Sequence, residues 1–218
     1  MIKGIIFDVD GVLLDSSVIW DDAGEKYLKT QGIVAQSDLY EKLYTLSLEE
    51  GAKYMKETYH LNQSIEQILA GIDQVIQDFY CYEVSLKPGV ENFLQRLEEK
   101  EIPMVIASSG SRTLIEKALT RLNIRQYFKA ILTCDEVGIG KHSPEIYFKS
   151  LETLQTKPQE TWIIEDSLFA IQTANQAGFK TLGVYDRQNK EEWQEMKNSA
   201  TMTLKDLTQF DLFWKERN

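Results

Sequence analysis

The chain has 218 residues, of which 43% are hydrophobic and 27% charged, and its formal net charge at pH 7 is −10. Such a composition is typical of an ordinary globular protein, and the length allows one large domain or one domain with an insertion. The acidic balance excludes nucleic acid and anionic membranes as expected partners. No apolar run is long enough to span a bilayer, and the two cysteines lack metal-ligand spacing, so a reducing, cytoplasmic location is expected.

An apolar run near the N-terminus leads into two carboxylates, in the order Ile5-Ile6-Phe7-Asp8-Val9-Asp10-Gly11. The run predicts a buried strand, and Gly11 permits a sharp turn after it. Asp8 and Asp10 can both project past the carboxyl end of this strand into one small volume. Like charges at that distance require a cation or a shared proton, and Mg²⁺ prefers such oxygen ligands. The alternative interpretation is an acidic turn at the end of a core strand.

Helical periodicity without strand signals follows from residue 16 to about residue 83. The clearest helix is predicted from Ile65 to Phe79, where apolar residues recur at spacings of three and one. Shorter helices are predicted around Trp20–Leu28, Leu39–Leu46 and Leu48–Tyr59. We therefore predict a small helical domain at residues 16–84, inserted into an α/β core domain formed by residues 1–15 and 85–218.

Helices and strands are predicted to alternate from Pro88 onward, with helices starting at Pro88 and Pro144. Strands are predicted at residues 103–107, 130–133, 161–164 and 181–184, and a weak one near 201–204, before a C-terminal tail. This alternation predicts an α/β fold with a Rossmann-like parallel sheet and helices on both faces. Ligands of such sheets bind beyond the carboxyl ends of the strands. The polar residues expected at that edge are Asp8, Asp10, Ser108, Ser109, Lys141, Glu165 and Asp166.

Four segments in this order resemble the motifs of the haloacid dehalogenase-like superfamily. They are Asp8-Val9-Asp10-Gly11-Val12, Ala107-Ser108-Ser109-Gly110, Gly140-Lys141 and Ile164-Glu165-Asp166-Ser167. The resemblance covers nearly the whole chain and is to the branch that includes β-phosphoglucomutase and many small-molecule phosphatases. The position and size of the helical insertion are similar to those of the cap domain of that branch. The resemblance implies a Mg²⁺-dependent phosphomonoester hydrolase that acts on a small phosphorylated metabolite.

The resemblance also implies roles for the two aspartates of the first motif. Asp8 is expected to be the nucleophile that forms an aspartyl-phosphate intermediate. Asp10 is expected to protonate the leaving oxygen and then to activate water. The implied ligands of Mg²⁺ are Asp8, the backbone carbonyl of Asp10, and Asp166, with Glu165 bound directly or through water. The alternative for Glu165 and Asp166 is an acidic cap on the following helix.

The resemblance implies phosphate binding by Ser108 and the backbone N–H of Ser109, which precede a helix N-terminus. It also implies that Lys141 balances the charges of the phosphate and Asp8. The alternative for Ser108 is a helix N-cap, although Ser111 or Thr113 could take that position. The alternative for Lys141 is a solvated surface lysine, and its place in the motif pattern favours phosphate binding.

Two departures from the family pattern bear on function. No proline follows Lys141, and we expect His142 to be an exposed loop residue, the alternative being contact with the substrate. The cap positions that hold a histidine and an arginine in β-phosphoglucomutase are aligned with Trp20 and Leu48, which carry no charge to hold a second phosphate. We therefore predict a phosphatase rather than a hexose-phosphate mutase.

Several expectations concern residues and properties outside the motifs. Trp20, Tyr44 and Ser47 are expected to pack within the helical bundle, the alternative being a specificity pocket. A catalytically silent binding protein is disfavoured because every expected charged motif residue is present. We expect a monomer.

Overall fold

The computed structural model describes residues 2–44 and 46–216. Its contacts divide the chain into two compact units. The larger unit consists of Met1–Ser17 and Val84–Asn218, and the smaller unit consists of Val18–Glu83. These boundaries lie close to those expected from the sequence, and the assignment of the second unit as a cap domain stays a prediction. No helix within residues 2–44 and 46–216 is long and apolar enough to cross a membrane.

The larger unit is built on a sheet of six parallel strands in the order β3-β2-β1-β4-β5-β6. The strands are β1 (Gly4–Phe7), β2 (Met104–Ser108), β3 (Phe128–Thr133), β4 (Thr161–Glu165), β5 (Lys180–Val184) and β6 (Met202–Leu204). Every residue of β1, β2 and β4 is buried, as expected of central strands covered on both faces. The predicted parallel α/β fold is confirmed.

The strand order places a switch point beside β1. From β1 the chain builds the sheet outward through β2 and β3, and it then crosses back to β4 on the other side of β1. Because crossover connections between parallel strands are right-handed, the helices of the two halves cover opposite faces. Phe7 is paired with Ile106 of β2 and with Ile164 of β4, so the residue after Phe7 emerges at the switch point, where ligands bind in such sheets.

The helices of the larger unit alternate with its strands. Their numbers start at α5, because the first four helices come earlier in the chain. They are α5 (Val90–Glu98), α6 (Arg112–Arg121), α7 (Cys134–Val137), α8 (Glu145–Leu154), α9 (Leu168–Gln176), α10 (Trp193–Ser199) and α11 (Phe210–Glu216). Short 3₁₀ turns occupy Arg125–Tyr127, Pro158–Glu160 and Leu207–Gln209. Helix α5 begins two residues later than predicted, because Gly89 takes a left-handed conformation (φ 87°) between Pro88 and the first helical residue.

The predicted C-terminal tail is wrong, because the chain ends its described part in helix α11. Phe210 and Phe213 are completely buried and lie on one face of this helix. Their rings lie 5.0 and 5.3 Å from that of Phe93 in α5. Burial of two aromatic side chains stabilises a helix that is too short to form alone.

The smaller unit contains four α-helices, with a π-helical turn at Phe79–Glu83. The helices are α1 (Ser17–Thr30), whose first residue belongs to the larger unit, α2 (Leu39–Leu43), α3 (Leu48–Thr58) and α4 (Ile65–Asp78). Helices α3 and α4 both start with a capping box, in which a serine side chain and the glutamate or glutamine three residues later bind each other's backbone N–H. The core of this unit includes Tyr27, Leu28, Ala52, Met55 and Ile68.

The expected packing of two cap aromatics is wrong. Trp20 is 54% exposed and Tyr44 is 75% exposed, so neither belongs to the buried core of the smaller unit. Ser47 has a local role instead, because it is the N-cap of α3. Leu48 is also exposed.

Candidate active site

The end of β1 presents Asp8 at the switch point of the sheet. The backbone N–H of Asp8 donates to the carbonyl of Ile164 at 2.9 Å, which continues the β1–β4 pairing by one residue. The side chain of Asp8 is buried. The chain then turns sharply at Gly11, whose φ of 76° lies in the left-handed region that glycine adopts without strain.

Asp10 lies in the same turn and is held by a neighbouring hydroxyl. Oγ of Ser16 donates to Oδ1 of Asp10 at 2.7 Å. A Cβ at Gly110 would lie 3.2 Å from Oδ2 of Asp10 and 3.4 Å from Oγ of Ser108, so these two side chains flank the same glycine. The structure therefore brings the first and second motifs together.

Lys141 connects two of the predicted site carboxylates. It lies between α7 and α8, and its side chain is only 4% exposed. Its Nζ donates to Oδ1 of Asp8 at 2.5 Å and to Oε1 of Glu165 at 2.7 Å. Lys141 is thus buried against two carboxylates, and the alternative of a solvated surface lysine is wrong. His142, the next residue, is exposed as expected.

Glu165 and Asp166 follow at the end of β4. The second oxygen of Glu165, Oε2, accepts hydrogen bonds from the backbone N–H groups of Asp166 (2.7 Å) and Ser167 (3.1 Å), just before α9 begins. Glu165 therefore binds backbone N–H groups ahead of the helix as well as the lysine. Oδ2 of Asp166 accepts a hydrogen bond from Nδ2 of Asn189 at 2.7 Å.

The carboxylates of Asp8, Glu165 and Asp166 form one buried group, in which an oxygen from each lies within 4.8 Å of the others. Burial, and then the charge of Glu165, raise the pKa of Asp8 to about 8, although Lys141 opposes this. Burial and the charges of Glu165 and Asp8 also raise the pKa of Asp166 well above its usual range. One lysine thus does not balance three carboxylates, and a hard oxygen donor set of this kind fits Mg²⁺.

The pKa values of Glu165 and Lys141 shift in the directions expected for an ion pair. Burial opposes ionisation of Glu165, but Lys141 and the backbone N–H groups lower its pKa. Burial likewise disfavours the charged form of Lys141, yet the charges of Asp8 and Glu165 raise its pKa well above the usual value. The Lys141–Glu165 pair is therefore charged at neutral pH. The carboxylate of Asp10 is outside the three-carboxylate group, so any contact of Asp10 with a metal depends on its backbone, which stays a prediction.

The two serines of the second motif differ in environment. Ser108 is the last residue of β2, is buried, and accepts a hydrogen bond from the N–H of Gly110 at 3.0 Å. Helix α6 begins at Arg112 with Ser111 as its N-cap, so Ser108 does not cap the helix. Ser109 is exposed, and its Oγ lies 3.4 Å from Sγ of Cys134.

Sequence reasoning missed two residues at this site. Asn189, in the loop after β5, contacts Asp166, and the available signal was only its place after another strand of the same sheet. Tyr147 lies on α8, in the hydrophobic core of the larger unit. Its buried hydroxyl has no hydrogen-bond partner among the described residues, and burial followed by the charge of Glu165 raises its pKa.

Comparison with known proteins finds relatives that match most of the chain. A family model described as haloacid dehalogenase-like hydrolase matches residues 5–184. The chain is 27% identical over 180 residues to a phosphorylated carbohydrates phosphatase of Thermotoga maritima, covering 83% of each chain. It is 29% identical over 213 residues to a probable pseudouridine-5'-phosphatase of Drosophila melanogaster, covering 94% of this chain and 90% of that protein.

A solved structure extends the likeness over the whole chain. The crystal structure of a putative beta-phosphoglucomutase from Thermotoga maritima superposes with a TM-score of 0.85 at 25% identity, covering 98% of this chain and 99% of that one. The motifs identified in the sequence, the sheet topology and the family match agree. This chain therefore belongs to the family of haloacid dehalogenase-like hydrolases.

Proposed function

We propose that this protein is a Mg²⁺-dependent phosphomonoester hydrolase that acts on a small phosphorylated metabolite through an aspartyl-phosphate intermediate. The observation that carries the proposal is the buried group of Asp8, Glu165 and Asp166, joined by Lys141 at the carboxyl end of the sheet. Two relatives that match most of the chain support the substrate class. One is named a phosphorylated carbohydrates phosphatase, and the other a probable pseudouridine-5'-phosphatase.

The reaction assigns one covalent step and two proton transfers to the first motif. In the first half, an oxygen of Asp8 attacks phosphorus, the bond from phosphorus to the leaving oxygen breaks, and Asp10 gives that oxygen its proton. In the second half, water attacks phosphorus, Asp10 takes a proton from the water, and the bond from phosphorus to Asp8 breaks, which releases free phosphate and restores the carboxylate of Asp8. The hydrogen bond from Ser16 to Asp10 supports this role, because it fixes the carboxyl group that must donate and accept the proton.

The remaining site residues bind the transferring phosphoryl group. Lys141 has three N–H donors, of which two point to Asp8 and Glu165, and a phosphate oxygen would accept the third. The hydroxyl of Ser108 and the backbone N–H of Ser109 would donate to the other oxygens. Their position between β2 and α6, at the carboxyl end of the sheet, supports this role.

Asp8, Asp166 and the backbone carbonyl of Asp10 would hold Mg²⁺. Both oxygens of Glu165 already accept hydrogen bonds from Lys141 and the backbone, which favours contact of Glu165 with the metal through water. When bound, Mg²⁺ supplies positive charge that offsets the charge of the phosphoryl oxygens. It would also favour the ionised form of Asp8, which burial disfavours.

The test is the Asp8→Asn variant, assayed for phosphate release from an aryl phosphate with and without Mg²⁺. Loss of the attacking oxygen should abolish turnover, while Asp73→Asn, at an exposed position on α4, should retain wild-type activity. Both variants should be folded, as judged by circular dichroism. Measurable Mg²⁺-dependent turnover by folded Asp8→Asn protein would contradict the proposal.

A hexose-phosphate mutase is the second candidate, because the chain resembles a putative beta-phosphoglucomutase in structure. Incubation with β-glucose 1-phosphate and a bisphosphate primer separates the two activities. A phosphatase should release inorganic phosphate, whereas a mutase would form glucose 6-phosphate. The absence of charge on Trp20 and Leu48 favours the phosphatase. The monomeric state and the cytoplasmic location stay predictions.

A further inference from the structure

The loop that follows β5, residues 185–189, reaches the candidate metal site through Asn189. The amide Nδ2 of Asn189 donates to Oδ2 of Asp166 at 2.7 Å and lies 3.3 Å from the backbone carbonyl of the same residue. Asn189 is half-buried, and Asp166 is buried. The side-chain amide therefore contacts one of the three clustered carboxylates directly.

The backbone of Gly11 also restricts the space available to the carboxylate of Asp166. A Cβ at Gly11 would lie only 2.4 Å from Oδ2 and 2.7 Å from Cγ of Asp166, so the carboxylate packs directly against the glycine. Asp166 is thus held between the turn of the first motif and the amide of Asn189. These contacts restrict rotation of its carboxylate.

A buried ion pair holds the loop that carries Asn189. Oδ2 of Asp186 accepts from Nζ of Lys87 at 2.6 Å, and Oδ1 accepts from Oγ of Ser17 at 2.7 Å and from the N–H of Gln188 at 3.0 Å. Lys87 also donates to the carbonyl of Tyr185 at 3.0 Å. The loop therefore has its own anchor, at Tyr185 and Asp186, four and three residues before Asn189.

The chemistry of an asparagine suits this contact. Metal binding requires the clustered carboxylates to be ionised, and three ionised carboxylates exceed the single charge of Lys141, so another carboxylate at position 189 would add repulsion. A lysine or arginine there would compete with a metal ion for Asp166. A neutral amide donor orients the carboxylate and leaves the charge of the site unchanged.

We infer that Asn189 is a positioning residue for the proposed metal site: it fixes the orientation of the Asp166 carboxylate, and the Lys87–Asp186 ion pair holds Asn189 in place. This inference rests on the proposed function, because it requires that Asp166 binds Mg²⁺. It concerns the loop after β5, which lies outside the four sequence motifs.

The test compares Asn189→Ala with Asn175→Ala in metal-free protein. Asn175 is also a half-buried asparagine whose amide donates to a carbonyl oxygen, that of Ser199 at 2.7 Å. It lies in α9, and its side-chain hydrogen-bond partners among the described residues, Ser199 and Thr181, are not residues of the proposed site. Mg²⁺ affinity is measured by titration calorimetry and by the Mg²⁺-induced rise of the unfolding midpoint. The Mg²⁺ concentration for half-maximal phosphate release is measured as well.

Asn189→Ala should weaken Mg²⁺ binding by about 10- to 100-fold, the usual effect of losing a residue that orients a metal ligand. Its unfolding midpoint without Mg²⁺ should stay close to that of the wild type. Asn175→Ala should lower the midpoint without changing Mg²⁺ affinity. Asp186→Asn removes the charge that pairs with Lys87, so it should lower both the unfolding midpoint and the Mg²⁺ affinity.

Two results would overturn the inference in distinguishable ways. If the wild type binds Mg²⁺ and releases phosphate but Asn189→Ala binds Mg²⁺ equally well, Asn189 is only a structural residue and the proposed function stands. If the wild type neither binds Mg²⁺ nor releases phosphate from any phosphomonoester, the proposed function fails and the inference fails with it.

Discussion

Nζ of Lys141 lies 2.7 Å from Oε1 of Glu165, and both side chains are almost completely buried. The two residues come from the loop before α8 and from the last position of β4, so the pair forms only when the sheet is assembled. Buried charges of this kind depend on each other, because either one alone would be buried without compensation. A substitution that removes only one partner should therefore destabilise the folded protein.

Replacement of Lys141 by methionine should therefore destabilise the protein strongly. The change keeps an unbranched side chain one atom shorter but leaves Asp8 and Glu165 without their cation. The expected loss is about 3–5 kcal/mol in the free energy of unfolding. Urea unfolding at pH 7 without Mg²⁺ measures it. Lys3→Met is the matched control, because Lys3 pairs with Glu160 at the same 2.7 Å distance but on the surface, and its loss should cost about 0–1 kcal/mol. Equal effects of the two substitutions would contradict this account.

Replacement of Ser108 by alanine should lower kcat/KM for phosphomonoesters. A hydrogen bond to a charged group contributes about 1.5–3 kcal/mol, so the expected decrease is about 10- to 100-fold. Ser111→Ala, at the N-cap position of α6, should have a much smaller effect, because no cap hydrogen bond of its side chain occurs among the described residues. Steady-state kinetics with an aryl phosphate provide the measurement. If Ser111→Ala were as defective as Ser108→Ala, the assigned phosphate contact would be wrong.

Replacement of Gly11 by alanine should impair both stability and metal binding. The left-handed φ of 76° costs a non-glycine residue about 1–2 kcal/mol, and the new Cβ would also displace the carboxylate of Asp166. Gly32→Ala separates these effects, because Gly32 has a similar φ of 73° and its Cβ would meet no atom of the described residues within 4 Å. Both variants should lose stability, but only Gly11→Ala should bind Mg²⁺ more weakly in calorimetric titrations. Wild-type affinity in the Gly11 variant would argue against the proposed role of Asp166.

The buried Lys87–Asp186 pair should make the free energy of unfolding depend on pH in the acid range. Burial tends to raise the pKa of Asp186. Hydrogen bonds from Lys87, Gln188 and Ser17 outweigh burial and lower this pKa below its usual value of 3.8. The unfolded chain therefore binds a proton at a higher pH than the folded protein, so this contribution is complete above pH 3.8 and is lost as the pH falls through the folded pKa.

The stability difference between the wild type and Asp186→Asn measures this contribution. It should be largest near pH 7, about 3 kcal/mol, and should shrink as the pH is lowered from about 5 to about 2. Urea unfolding over that range provides the values. Asp211→Asn is the control, because Asp211 pairs with Arg96 on the surface and its removal should change stability little at any pH. A difference that grows on acidification would reverse the expected sign and contradict the assignment.

Removal of the Tyr147 hydroxyl should not destabilise the protein. The hydroxyl is buried and has no hydrogen-bond partner among the described residues, so Tyr147→Phe should be neutral or stabilising by about 1 kcal/mol. Tyr59→Phe provides the contrast, because Oη of Tyr59 accepts a hydrogen bond from the N–H of Gln36 at 3.0 Å. That substitution should cost about 0.5–1.5 kcal/mol. Thermal and urea unfolding of both variants test the difference, and a larger loss for Tyr147→Phe would show that its hydroxyl is bonded.

Much of the larger unit could be predicted from local patterns. The apolar runs that precede Asp8, Ser108 and Glu165 correspond to β1, β2 and β4, because a strand buried on both faces requires a continuous apolar sequence. The family and the parallel fold were predicted correctly for the same reason, since the motifs follow these strands directly. Errors arose where local signals are weak. The exposed Trp20 and Tyr44 carry apolar side chains at helical spacing, which the sequence alone does not distinguish from core residues.

By itself, the sequence determined which residue types stand at the strand ends and hence the class of chemistry, because periodicity and motif order are properties of neighbouring positions. Only the tertiary structure decided that the order of the strands brings Lys141 onto Asp8 and Glu165. It likewise decided that, in the loop after β5, Asn189 contacts Asp166 and Asp186 pairs with Lys87. It also decided that residues 210–216 form a helix against α5. Those contacts join residues far apart in the chain, and their energy comes from burial and charge pairing that no local pattern records.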